Sequence, residues 1–167
     1  CNSDYYAFFG GKFVWWAKDS QQAYFIDQQR GDQEVRLVEL NTATGATRVL
    51  FEEVSDTHIN LRAGTDSFPL HRVLSESNEL IWWSERSGWG HLYLYDLNTG
   101  KLKHPITLKE SSANREPSAG FNNEPSADLD NQWRVRDIVY VDEIRRELWI
   151  QTSARVAGRD SYYRDIC

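Results

Sequence analysis

Leu80-Ile81-Trp82-Trp83-Ser84-Glu85-Arg86-Ser87-Gly88-Trp89-Gly90-His91-Leu92-Tyr93-Leu94-Tyr95-Asp96 reads as two strands and the turn between them. Leu80 to Ser84 and His91 to Leu97 are dense in aromatic and branched residues, which suit a pleated, half-buried surface. The turn, Arg86-Ser87-Gly88-Trp89-Gly90, carries glycines on both sides of Trp89. In His91 to Tyr95 apolar side chains occupy both alternating faces. Such a strand is covered on two sides, as when sheets stack face to face.

Working outward, the same order of strands returns. Leu70 to Leu74 reads as a strand, Ser75-Glu76-Ser77-Asn78 as a turn, Asn98-Thr99-Gly100 as another turn, and Lys101 to Thr107 as the last strand of the unit. Upstream, Phe13 to Ala17, Ala23 to Asp27, Val35 to Leu40 and Thr47 to Phe51 give a four-strand meander, with Lys18 to Gln22, Arg30-Gly31-Asp32 and Asn41 to Gly45 as its turns. Downstream, Trp133 to Asp142, a turn at Glu143 to Arg146, and Glu147 to Ser153 begin a third unit, which stops at Ile166-Cys167 where its next strand is due. Lys109 to Gln132 holds Pro117 and Pro125 and has no sustained periodicity; it reads as a long exposed loop inserted between units.

No apolar stripe of helical period and length occurs, so the fold class is all-β. Consecutive four-stranded antiparallel units in series read as blades of a β-propeller, about two and a half of them, over residues 13–53, 70–108 and 133–167. A β-sandwich of the same meanders is the structural alternative. Trp15, Trp82 and Trp149 lie 67 residues apart, and this recurrence reads as the pitch of the repeat. Their strand neighbours are apolar, so the tryptophans are expected to fill the gap between stacked sheets.

Composition narrows the function classes. With 40% hydrophobic residues the chain of 167 can bury a real core. A net charge of −6, with no Lys/Arg stripe, argues against nucleic-acid binding. No apolar stretch approaches the ~20 residues that span a bilayer as a helix. There is no Met, which suggests an excised or processed segment. The only cysteines, Cys1 and Cys167, are too few for a disulfide framework and wrongly spaced for zinc. They read as a cloning artefact, as ordinary variation at Cys167, or as a bridge closing the ends in an oxidising, extracytoplasmic compartment.

No catalytic, metal or cofactor residue is assigned. A serine hydrolase needs a nucleophile on a sharp turn, typically Gly-x-Ser-x-Gly, with a His base and a carboxylate. Ser87 lacks the glycine two positions before it and reads as a turn residue. His58, His71, His91 and His104 are scattered singly, without metal spacing; His91 is expected in the core and His104 in solvent. Glu52-Glu53 ends an apolar strand and reads as surface charge. Trp89 is the aromatic best placed at a surface or channel rim.

The stretch Leu80 to Asp96 resembles the N-terminal propeller of the dipeptidyl peptidase IV family, serine exopeptidases of the prolyl oligopeptidase clan, in its bacterial form. Val14-Trp15-Trp16-Ala17-Lys18-Asp19-Ser20, Asn41 to Gly45 with Arg48 to Glu53, Val135-Arg136-Asp137-Ile138-Val139 and Gly158-Arg159-Asp160-Ser161-Tyr162-Tyr163-Arg164 extend the resemblance. It implies an eight-bladed propeller followed by an α/β-hydrolase domain that carries the catalytic Ser, Asp and His. The chain would then be a non-catalytic segment that gates and orients peptide substrates for a hydrolase domain of the same polypeptide. The alternative is a free-standing module that binds proteins or peptides. Blades without neighbours expose apolar faces, so self-association through those faces is also expected.

Overall fold

The computed structural model describes residues 14–61, 70–108 and 132–167. Eleven strands occur in them: β1 (Val14–Trp16), β2 (Gln22–Gln28), β3 (Glu34–Asn41), β4 (Thr47–Val54), β5 (His71–Leu74), β6 (Glu79–Ser84), β7 (His91–Asp96), β8 (Leu102–Pro105), β9 (Arg134–Asp142), β10 (Glu147–Ser153) and β11 (Arg164–Ile166). They form three antiparallel meanders, β1-β2-β3-β4, β5-β6-β7-β8 and β9-β10-β11. The architecture is all-β, a run of propeller blades. No helix among the described residues is long and apolar enough to cross a membrane. The loop expected at residues 109–132 lies, except for Gln132, outside the described residues, as do Cys1 and Phe13.

Turn chemistry fixes the hairpins. In the β3–β4 turn Asn41 Oδ1 accepts from the Thr44 N–H and hydroxyl, both at 3.0 Å. In the β7–β8 turn Asp96 Oδ1 does the same for Thr99, at 2.9 and 3.1 Å. Each turn then closes on a glycine with φ of +74° or +71°, a region where a side chain is strained. The third meander already has its third strand, because β11 pairs with β10 over Gln151 to Ser153.

The middle sheet is buried on both faces. All six residues of β6 are buried, and so are five of the six in β7. Alternation splits the Trp82-Trp83 doublet. Trp82 packs with Tyr24, Ile26, Val35 and Leu37 of the first sheet, whereas Trp83 packs with Val135, Ile138 and Ile150 of the third. Fully burying each such aromatic contributes about 1.5–3 kcal/mol.

The 67-residue tryptophan pitch does not survive. Hairpin-closing pairs Ala17/Gln22, Leu74/Glu79 and Asp142/Glu147 mark equivalent positions, and Gln22, Glu79 and Glu147 are 57 and then 68 residues apart. Trp15 is on the first strand of its sheet, whereas Trp82 and Trp149 are on the second strands of theirs. Trp82 stands three residues past its closing pair and Trp149 two, so the pleat turns them to opposite faces. Trp149 is accordingly 52% exposed and Trp16 61%, on outward faces rather than between sheets.

Candidate functional site

The densest polar cluster joins the first two sheets, and its centre is Glu53. Glu53 is 5% exposed, which corrects the expectation of surface charge at that position, while Glu52 is exposed as expected. The Glu53 carboxylate accepts from Trp82 Nε1 at 3.0 Å, from Arg86 Nη2 at 2.8 Å, and from the Ser84 hydroxyl in a short hydrogen bond. Strict alternation would put Glu53 on the same face as Val49, which is 52% exposed. A β-bulge intervenes: Val49 opposes Val38, Phe51 opposes Leu37, and Leu50 is the extra residue. The phase shifts there, Glu53 comes opposite the buried Val35, and its carboxylate faces the second sheet.

Arg86 completes the cluster from the β6–β7 turn. Its guanidinium donates to Tyr95 Oη at 2.6 Å and lies over the Tyr93 ring, 4.5 Å from the centroid. Burial pulls the guanidinium's pKa down, but the Glu53 carboxylate and the Tyr95 hydroxyl outweigh it, and the net shift is upward. Burial also raises the Tyr93 and Tyr95 hydroxyls. Arg86 therefore stays charged and both tyrosines stay neutral. With three donors on one carboxylate, the cluster is a structural clasp and not an acid–base centre.

The seam between the second and third sheets works differently. Trp83 Nε1 donates to the Val135 carbonyl at 3.1 Å, and the Val135 N–H donates to the Gly90 carbonyl at 2.7 Å. Gly90 is required there, since a Cβ would lie 2.3 Å from the Trp83 ring. At the rim, Glu79 accepts from Lys103 Nζ and Arg146 Nη1, each at 2.5 Å. Burial opposes its ionisation, yet the two cations hold its carboxyl down at about 2.

His91 is fully buried, with Nδ1 3.1 Å from Thr107 Oγ1 and its ring edge-on to Trp133. His104 is exposed. His71 is enclosed by the Trp15 and Trp82 rings, centroids 4.7 and 6.5 Å away. Burial, reinforced by Arg72, lowers its pKa to about 4. Ser87 donates to the Trp89 carbonyl at 3.2 Å across its own turn, and Trp89 is 38% exposed. Among the described residues no group of three or more His, Cys, Asp or Glu could hold a metal. Cys167 is exposed, with Arg155 Nη1 2.5 Å from its Sγ; the pairing proposed with Cys1 falls outside the described residues.

Sequence reasoning singled out Trp89 and missed Glu53 and Glu79. The available signal for Glu79 was its place directly after the Ser75 to Asn78 turn, within reach of the next hairpin.

Known proteins match this chain along nearly its whole length. A family model described as the dipeptidyl peptidase IV (DPP IV) N-terminal region matches residues 12–164. The fold is similar to that of dipeptidyl peptidase 4 from Porphyromonas gingivalis, with TM-score 0.64 and 14% identity over 92% of this chain and 17% of that one. It is also similar to a putative dipeptidyl aminopeptidase IV from Bacteroides ovatus ATCC 8483, with TM-score 0.54 and 20% identity over 84% of this chain and 19% of that one. The chain thus spans less than a fifth of either solved protein.

Proposed function

Because the chain belongs to the dipeptidyl peptidase IV N-terminal region family, we propose that it is a non-catalytic stretch of propeller wall in a peptidase of that type. It gates and orients peptide substrates for an α/β-hydrolase domain of the same polypeptide. The family match over residues 12–164 carries the reading. The middle sheet supports it, because a sheet clasped on both faces makes a rigid wall. Rigid walls select by size: short or unfolded peptides enter and folded chains do not. Trp89, on an exposed turn, is the side chain proposed to meet a peptide at the rim.

The test is to express the polypeptide that the complete reading frame encodes and assay it on a chromogenic dipeptide and on a folded protein. Dipeptide release with the folded protein intact is the expected result, and Glu53→Ala, which loosens the wall, should admit longer chains. A frame without Gly-x-Ser-x-Gly, or a preparation with no dipeptide release, would overturn the peptidase reading in favour of a free-standing binding module.

A further inference from the structure

Gln29 and Glu85 each follow the second strand of their sheet and hold the same place in a turn. The Asp32 N–H donates to the Gln29 carbonyl at 3.0 Å, and the Gly88 N–H to the Glu85 carbonyl at 2.8 Å. The corresponding residue after β10 is Ala154. Neutral residues thus serve the backbone at this place, and the turn itself does not call for an acid at Glu85. Glu85 is half-buried, yet among the described residues its carboxylate makes no hydrogen bond and no ion pair. Burial pushes the carboxyl up, Arg134 and His58 pull it back from a distance, and Glu53 adds to the rise. A carboxylate partly stripped of water and left without a partner is a ready acceptor for a cation.

The end of the stack where Glu85 lies is the aromatic one. The Val135 N–H on the Gly90 carbonyl brings the start of β9 to the β6–β7 turn, and Arg134 opposes Ser153, so the β10–β11 loop comes to that end too. Among the described turns, exposed aromatics occur only there: Trp89, Tyr162 at 93% and Tyr163. Cations of the third meander at this end are already engaged. Arg155 lies over the Trp133 ring, 4.9 Å from its centroid, Arg159 meets Asp165 at 2.5 Å, and Arg164 donates to Gln151 at 3.3 Å.

We propose that Glu85 is a specificity-determining residue, whose carboxylate holds a lysine or arginine side chain of a peptide entering at this end. Trp89, in the same turn, supplies the aromatic face against which that side chain packs. A neutral or acidic side chain fits less well, because it leaves Glu85 unpaired or repelled. That the occupant is a peptide substrate rests on the peptidase reading; the cation site itself rests on Glu85 and its surroundings.

The test is a calorimetric titration of the polypeptide of the complete reading frame with N-acetylated Ala-Ala-Lys-Ala-Ala amide, and with the same peptide carrying norleucine for lysine. Acetylation removes the terminal ammonium, so the lysine side chain is the sole cation. The lysine peptide should bind about fivefold more tightly, and Glu85→Gln should erase the difference. Glutamine already serves at Gln29, so that variant should not lower the thermal midpoint. Trp89→Ala should weaken both peptides alike; binding unchanged from the wild type would strike Trp89 from the site. Equal affinity for the two peptides, no binding of either, or a preference that survives Glu85→Gln overturns the proposal. A Glu85-dependent preference without dipeptide release keeps this site and removes the peptidase reading; dipeptide release without the preference does the reverse.

Discussion

The two seams that hold this stack together solve one packing problem by different chemistry. Between the first and second sheets the fastening is a buried ion pair, Glu53 with Arg86, whose side chains are 7% and 9% exposed. Between the second and third it is indole-to-backbone contact around Trp83, Val135 and Gly90, with charge kept to the rim at Glu79. A buried ion pair is costly to assemble and costlier to leave half-made, while a ring packed on a glycine is sensitive to volume. The middle sheet can therefore be loosened from either neighbour by a different kind of change.

The largest effect should come from Glu53→Ala. It strands Arg86 without its carboxylate and leaves Trp82 Nε1 without its acceptor, a loss of about 3–5 kcal/mol for a broken buried pair. Urea unfolding measures it, and a loss under about 1 kcal/mol would show that water reaches Arg86 and that the seam is not a closed one. Replacing both Glu53 and Arg86 by leucine should cost far less than Glu53→Ala alone, since no charge is left uncompensated.

Gly90→Ala tests the other seam by volume. The methyl must displace the Trp83 ring, costing about 1–3 kcal/mol. Hydrogen exchange should show the protection loss concentrated in β9 and β10, with the first sheet unaffected.

Acid should separate the seams by pH. His71 sits between the first two sheets with its pKa lowered from 6.5 to about 4. The unfolded chain binds that proton first, so this contribution is present above about 6.5 and is lost as pH falls towards 4. Glu79, lowered from 4.5 to about 2, supports the outer rim of the other seam above 4.5 and fails only as pH falls towards 2. Its contribution is about 1 kcal/mol once the solvent-exposed cation heads are allowed for. Exchange protection followed downward in pH should drop in the first sheet before the third. The reverse order, or a His71→Phe variant with an unchanged slope between pH 6.5 and 4, would remove His71 from the account.

The smallest effect is expected at Lys18→Ala. The Lys18–Glu76 bridge links turns of the first two sheets at 2.5 Å, but its side chains are 66% and 62% exposed. Such pairs contribute between nothing and about 1 kcal/mol, and added salt should erase even that.

Strands and turns were legible because their signals are local: the short run of aromatic and branched residues in His91 to Tyr95, and an Asn or Asp that caps a Thr before a glycine. The tryptophan spacing misled because it is not anchored to a turn, and loops of unequal length can bring unrelated positions to equal intervals. Glu53 was illegible for a sharper reason. Its burial depends on one unpaired residue at Leu50, and no residue type in β4 announces a bulge. Glu79 needed partners from β8 and from the β9–β10 turn, which only the packed sheets supply.

The bulge at Leu50 makes β4 a counted strand. Length there behaves as a parity check: a residue inserted after Phe51 and paired in register would swing the acid at Glu53 towards solvent, whereas removing Leu50 would erase the bulge and leave Glu53 opposite Val35. A one-residue insertion between Phe51 and Glu53 would be worse than most substitutions at the same sites, whereas a deletion at Leu50 keeps the phase of Glu53. Tolerance of sequence change in this strand is set by arithmetic as much as by chemistry.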